Sequence, residues 1–391
     1  MSRRTLWFMT VAVALIVANV YYIQPLLAQL AQTFALRPTG AGAVAMVMQL
    51  GTTLAMMVFV PLGDTLERRS LIGILLLALA AALVAMACAQ NIWWLCLAGA
   101  AVGASGSVVH LIIPFAAHLA PPQQRGRVVG QVIGGLLMGI LLARTLSGWI
   151  GGLWGWRAMY GLAAGVMLLV AVGVRSFLPK SPPELTLTYP ELVKSIVRLA
   201  REQPTLREAS LLGGLFFCAF SAFWTTLIFR LESPPFHYGP QAAGMFGLVG
   251  AIGAALAPLI GRVADRHGPR FTVGAALGLA FLSFLVLGFG GNSLAGLIGG
   301  VILLDLGVQA GHVANQTRIY NLIPTARSRL NTVYMTCYFI GGSIGSIVGA
   351  WGWRLAGWWG VCACGLVAMS LGLAVFSRSG VTPLSGDRRI A

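Results

Sequence analysis

An aspartate, two glutamines and a histidine keep helical step within one apolar stretch: Asp305, Gln309, His312 and Gln316 stand at i, i+4, i+7 and i+11. That spacing puts all four on one face of a helix. A carboxylate beside an imidazole can take up and pass protons near neutral pH. A charge at mid-bilayer costs about 2.5 to 3.5 kcal/mol on insertion scales, so it persists where it faces a cavity or a partner. Asp305 is the only carboxylate well inside an apolar stretch.

Arg144 is the matching positive charge. It lies about eight residues from the outer end of its own apolar segment, and helix rise puts it roughly 6 Å in depth from Asp305, within reach of an arginine stem. The expectation is a pair, Arg144 with Asp305, that breaks or protonates during a working cycle; the alternative is a static pair that fixes the fold. His110 and His312 stand 202 positions apart at equivalent places, and either could relay protons.

These groups need a membrane scaffold. The chain of 391 residues is 58% hydrophobic and 9% charged, with a mean hydropathy of +0.84, against about 25% charged residues in ordinary globular chains. Apolar runs of roughly 20 residues, the length of a bilayer crossing, fall at 6–30, 40–62, 70–88, 92–118, 127–151, 157–178, 208–230, 241–262, 271–289, 293–316, 331–352 and 354–376. Helices are required, because lipid offers the backbone no partners. Arg3 and Arg4 ahead of the first run could imitate a secretory signal, but Asn19, Tyr21, Tyr22, Gln24 and Pro25 interrupt it, so it reads as a permanent span.

The net charge of +16 could suggest nucleic acid, but its placement does not. Of the 26 basic residues, only Arg37, Arg144, Arg157, Arg230 and Arg354 fall outside the alternate loops and tails of one side. By the positive-inside rule that side, with both termini, is cytoplasmic. The charge is topology, with membrane lipids as its partners and no nucleic acid. The six cysteines show no metal-ligand spacing, so neither a metal nor a cofactor is expected.

The chain also repeats itself. Asp64, in Val60-Pro-Leu-Gly-Asp64-Thr-Leu-Glu-Arg68-Arg69, is echoed by Asp265 in Gly261-Arg-Val-Ala-Asp265-Arg266-His-Gly-Pro-Arg270. His110, Arg125 and Arg127 return as His312, Arg327 and Arg329, and Trp154-Gly-Trp-Arg157 as Trp351-Gly-Trp-Arg354. The expected division is a six-helix half at 1–178, a cytoplasmic linker at 179–206 with a short amphipathic helix, and a second half at 207–391. The fold class is therefore all-α: twelve transmembrane helices in two pseudo-symmetric six-helix bundles. Such parallel halves face each other across a central pathway, with the site at their interface.

Six spans, a basic linker and six more spans resemble the major facilitator superfamily across the whole chain. The most specific marker is Gly261-x-x-x-Asp265-Arg266-x-Gly268-x-Arg270. Its first copy departs from the pattern with Val60, Thr65 and Glu67, while Asn19-x-Tyr21-Tyr22-x-Gln24-Pro25 looks like a bacterial efflux-type subgroup. Antiporters often carry Gly-Pro in span five; this chain has Gly139-Ile140.

The resemblance implies a cytoplasmic gate of Asp64, Arg68, Asp265, Arg266 and Arg270, in which each aspartate braces a helix start of the other half. It also implies that the first span of each three-helix unit lines the pathway. Candidate substrate contacts are then Asn19, Tyr22 and Gln24 in span one, Ser221, Trp224 and Thr225 in span seven and Gln309 in span ten, with Asn331, Tyr334 and Tyr338 giving an aromatic-polar face in span eleven. Tyrosines and tryptophan suit substrates with mixed polarity.

The expected function is a proton-coupled secondary transporter of the bacterial inner membrane, working as a monomer by alternating access and exporting a small amphipathic or drug-like molecule. A symporter or uniporter for a sugar or organic anion keeps the same fold. An embedded enzyme or receptor is the remote alternative, since no span carries a nucleophile-base pair or nucleotide loop.

Overall fold

The computed structural model describes residues 2–121, 124–181, 189–255, 268–323 and 326–379. Among the described residues there is no strand, as the lipid-solvated backbone requires. Nine helical segments in them are long and apolar enough to cross a bilayer. Two of these, Arg127–Phe177 and Arg329–Arg378, run for 51 and 50 residues, more than double the roughly 20 needed to cross once. Each is two spans joined at a break.

The first break is Gly155, at φ +81°, a backbone conformation that glycine adopts without steric cost. Contacts on either side show the chain turning back. Gly135 and Gly139 lie against the backbone of Thr10 and Ala14, so span five runs beside span one in the same direction. Beyond the break, Trp156 Nε1 donates to Thr33 Oγ1 (3.1 Å) and Thr5 Oγ1 donates to the Phe177 carbonyl (3.2 Å), so span six returns. The second break falls at Ala356–Gly357. It lies past the repeated Trp-Gly-Trp-Arg, so span eleven is longer than the expected 331–352. Gly352 continues the helix and packs on Gly360 of span twelve instead.

Two further spans are broken within the bilayer, where one continuous helix was expected. Span one is Arg3–Tyr21 and Ile23–Thr33; Pro25 lacks the N–H that would bond the Tyr21 carbonyl. Span four is Ile92–Gly106 and Val109–Leu119, and Pro114 likewise leaves the His110 carbonyl without its helical donor. The other spans are Pro38–Thr65, Arg68–Ala87, Pro204–Glu232, Pro269–Gly290 and Leu294–Tyr320, with Pro240–Ala255 the described part of span eight. Span seven begins at Pro204, four residues earlier than expected.

The repeat has a packing counterpart. Span eleven lies on span seven as span five lies on span one: Gly341, Gly345 and Gly349 meet the backbones of Gly214, Cys218 and Ala222. Small residues at i+4 spacing let the helix backbones touch where apolar burial cannot drive association.

The segment between spans six and seven contains the helix Tyr189–Glu202. Its start is tied down by Glu67, which accepts from the backbone N–H of Arg69 (3.1 Å), Ser70 (2.8 Å) and Ser181 (3.0 Å) and from Ser70 Oγ (2.6 Å). Glu67 thereby caps span three and anchors the segment after span six. Desolvation pushes its carboxyl up, but the hydrogen bonds from Ser70, Ser181 and Arg69 outweigh that and bring it from 4.5 down to about 2. A carboxylate lowered in the folded state adds stability above its unfolded value, which is lost as pH falls toward the folded one. The melting-temperature advantage of the wild type over Glu67→Gln should therefore be full above about pH 5 and shrink between about pH 4.5 and pH 2; a gap independent of pH would contradict the assigned bonds.

Candidate functional site

The site is built where spans one, five, seven, eight and ten converge. Arg144 of span five is 1% exposed and Asp305 of span ten 2% exposed. Span eight passes both along a glycine face. An added Cβ on Gly244 would lie 2.7 Å from the Arg144 carbonyl, on Gly247 2.8 Å from the Arg144 Cβ, and on Gly250 3.3 Å from the Asp305 carboxyl. Gly244, Gly247 and Gly250 recur every third residue, so the two charges bracket one smooth face within about two helical turns.

The two charges do not touch in this conformation. Arg144 is held elsewhere: its Nε donates to Gln24 Oε1 at 2.6 Å, and its guanidinium carbon lies 3.8 Å from the ring centre of Trp224, 5.2 Å from Tyr21 and 5.4 Å from Phe220. The planar guanidinium suits such stacking. Its Nη2 is buried without a hydrogen-bond partner, and so is Oδ2 of Asp305. The expected Arg144–Asp305 contact is thus replaced by an arginine box one step away, although each charge lies within electrostatic range of the other.

From Asp305 a polar and aromatic chain leads along span ten toward its Tyr320 end. Tyr338 is within electrostatic reach of Asp305 and of Tyr21. Its ring lies 4.7 Å from that of His312 and stacks on Phe217 at 4.1 Å. His312 Nδ1 shares a hydrogen bond with the Tyr334 hydroxyl at 3.0 Å. Gln316 and Tyr320 meet on Asn331 Oδ1, at 3.4 and 3.0 Å. His110 joins from the other half, edge-on to Phe339 at 6.0 Å. Gln309 is half-buried on span ten, one turn from Asp305.

Two sequence candidates stand apart. Asn19 is fully buried, but its Nδ2 turns back to the Leu15 and Ile16 carbonyls (2.9 and 3.0 Å) and toward Met167 of span six. Tyr22 is buried at the break in span one, beside Tyr160. Both face the interior of their own half.

A polar knot joins spans two, seven and eleven; its Ser221 and Thr225 are sequence candidates, whereas Gln49 and Ser346 were missed. Gln49 Nε2 donates to Ser346 Oγ (2.8 Å), Thr225 Oγ1 lies 3.1 Å from the same oxygen, and Ser221 Oγ donates to Gln49 Oε1 (3.4 Å). Thr145 Oγ1 donates to the Gly244 carbonyl (3.0 Å), and Gly42 sits against Ser346 and Ala350. The cavity bordered by Gln24, Gln49, Phe217 and Phe339 has a volume of about 10 Å³, about the space of one water.

Arg270 and Arg68 each make contacts within their own half. Arg270 reaches Glu208 (3.4 Å) and the Phe376 carbonyl (3.0 Å), and Arg318 reaches Glu208 at 2.8 Å. Arg68 is buried beside the Phe115 ring. Asp64 falls in the last turn of span two; its side chain, with Asp265 and Arg266, lies outside the described residues.

Comparison with known proteins agrees with this architecture. The sequence signature of the Major Facilitator Superfamily matches residues 9–346 and again 235–387. The chain is 41% identical over 378 residues to the uncharacterized transporter YgaY of Escherichia coli O157:H7, covering 97% of this chain and 96% of that one. It is 24% identical over 251 residues to a chloramphenicol efflux pump of Mycobacterium tuberculosis, covering 61% and 59%. Among solved structures, a bacterial homologue of the human lysosomal transporter Spinster, captured inward-facing and unoccupied, superposes with a TM-score of 0.77 at 16% identity over 96% of this chain and 95% of that one. The chain belongs to the Major Facilitator Superfamily, and is a membrane-spanning transporter rather than an enzyme.

Proposed function

We propose that the protein is a proton-coupled exporter of small amphipathic molecules, working as a monomer by alternating access in the bacterial inner membrane with both termini cytoplasmic. The observation that carries the reading is the buried Asp305 carboxyl, whose Oδ2 lacks a partner on the glycine face of span eight. An unpaired buried carboxylate is costly. Proton uptake and pairing with Arg144 are the two ways to relieve it, and a cycle that alternates between them couples proton movement to helix movement. His312, His110, Tyr334 and Tyr338 supply a polar route toward the cytoplasm, while Gln24, Trp224 and Gln309 border the binding region. Asp64, Arg68, Asp265, Arg266 and Arg270 serve as the cytoplasmic gate. The two halves, 1–178 and 207–391, rock about the linker 179–206. The likeness to a chloramphenicol efflux pump favours export.

A second reading rests on Arg144, whose Nη2 is buried and unpartnered. An anionic substrate group would satisfy it, which fits a symporter or uniporter for organic anions. One experiment separates the two. In proteoliposomes with an imposed pH gradient and a compound panel, antiport accumulates substrate on the acid side, because protons leave that side as substrate enters it. Symport accumulates substrate on the alkaline side, and uniport on neither. Accumulation on the alkaline side would overturn the export reading.

A further inference from the structure

A second cavity lies apart from the site above. It has a volume of about 680 Å³ and lies between the cytoplasmic halves of spans seven and eleven, under the linker helix. Ile196 and Val197 form its roof, Leu211 and Leu215 one wall, and Ile340 and Ile344 the other. Its lining is almost wholly apolar, yet Arg201 and Arg207 stand at its rim where the linker helix passes into span seven. The neighbouring Arg198 is already engaged by Glu202 at 2.7 Å, an exposed pair on the linker helix. Leu211, Ile340 and Ile344 are exposed side chains at this groove.

We propose that this groove is a binding site for one anionic phospholipid of the cytoplasmic leaflet. An acyl chain would lie in the slot between spans seven and eleven, and Arg201 and Arg207 would hold the phosphate under the linker helix. Charge selects the occupant. A slot with this lining would take any apolar chain, but two arginines at the cytoplasmic rim favour a negative headgroup, and basic pockets between spanning helices on that side recognise such lipids. The amphipathic linker helix supplies the interfacial roof that such a headgroup needs. The site is separate from the arginine box, and it bears on the cycle because spans seven and eleven must move relative to the other half.

The full-length protein in detergent micelles is the sample, with added phosphatidylglycerol or phosphatidylcholine as probes and native mass spectrometry as the readout. Phosphatidylglycerol should be retained under activation that strips phosphatidylcholine. Arg201→Gln with Arg207→Gln should weaken that retention about thirtyfold, since each basic residue near an anionic lipid contributes about fivefold. Ile340→Trp keeps both arginines but fills the slot, and should also reduce retention. Wild-type melting temperatures would show that both variants are folded; should the double variant be unstable, Ile340→Trp alone decides. Equal retention of both lipids by the wild type, or retention of phosphatidylglycerol unchanged in the folded variants, would overturn the proposal.

Discussion

Asp305→Asn is expected to abolish uphill transport while leaving exchange across the membrane intact. The amide fills the same space against Gly250 and cannot be ionised, so the helices still pack. It cannot carry a proton through the cycle. One pH unit is worth 1.36 kcal/mol, so a one-proton cycle in proteoliposomes can build a substrate ratio of about tenfold per unit. The variant should settle at a ratio near one under the same gradient, while substrate-for-substrate counterflow stays within about threefold of the wild type, a difference of under 1 kcal/mol in the barrier. Loss of both activities would point to a structural role for Asp305, and retained accumulation would exclude it as the carrier.

Arg144→Lys should reduce transport by about tenfold to thirtyfold even though the charge is kept. The guanidinium is planar: it stacks on Trp224 at 3.8 Å while its Nε donates to Gln24 at 2.6 Å. An ammonium cannot make both contacts from that position. A desolvated cation–π contact is worth about 2 kcal/mol, and 1.4 kcal/mol is a factor of ten. Trp224→Ala should cost a similar factor, and Trp224→Phe less, because an aromatic face remains. The readout is the initial rate of substrate entry at saturating and subsaturating concentrations. Wild-type rates in Arg144→Lys would show that the box is packing alone.

The consequence of these two substitutions differs because the charges play different parts. Asp305 has one oxygen without a partner and can change state cheaply, whereas Arg144 is stacked, hydrogen-bonded and fixed. Under the proposed cycle the box holds Arg144 at the depth from which it pairs with Asp305 in another conformation, so losing the box costs transport. The polar knot of Gln49, Ser221, Thr225 and Ser346 ties span two to spans seven and eleven in the same conformation.

Much of this was legible in the residues alone. Hydropathy placed the spans because a lipid-solvated helix must be apolar along its whole length. The repeated landmarks announced the doubled packing that Gly135, Gly139, Gly341 and Gly345 carry out. Helical spacing put Asp305 and His312 on one face, and a charge in an apolar run marked Arg144 as a residue with a partner. The direct partner that depth suggested, Asp305, is not the one the fold supplies. Depth along a helix is nearly fixed by rise per residue, so reach could be estimated, but rotation about the axis and the choice among neighbours arise only when the spans pack. That is why Arg144 turned to Gln24 and Trp224, why Asn19 faced Met167, and why Gln49, an ordinary glutamine in span two, bonds across to Ser346 of span eleven. The glycines of span eight were visible at every third position, yet only tertiary packing decided that the smooth face they make would separate the two buried charges.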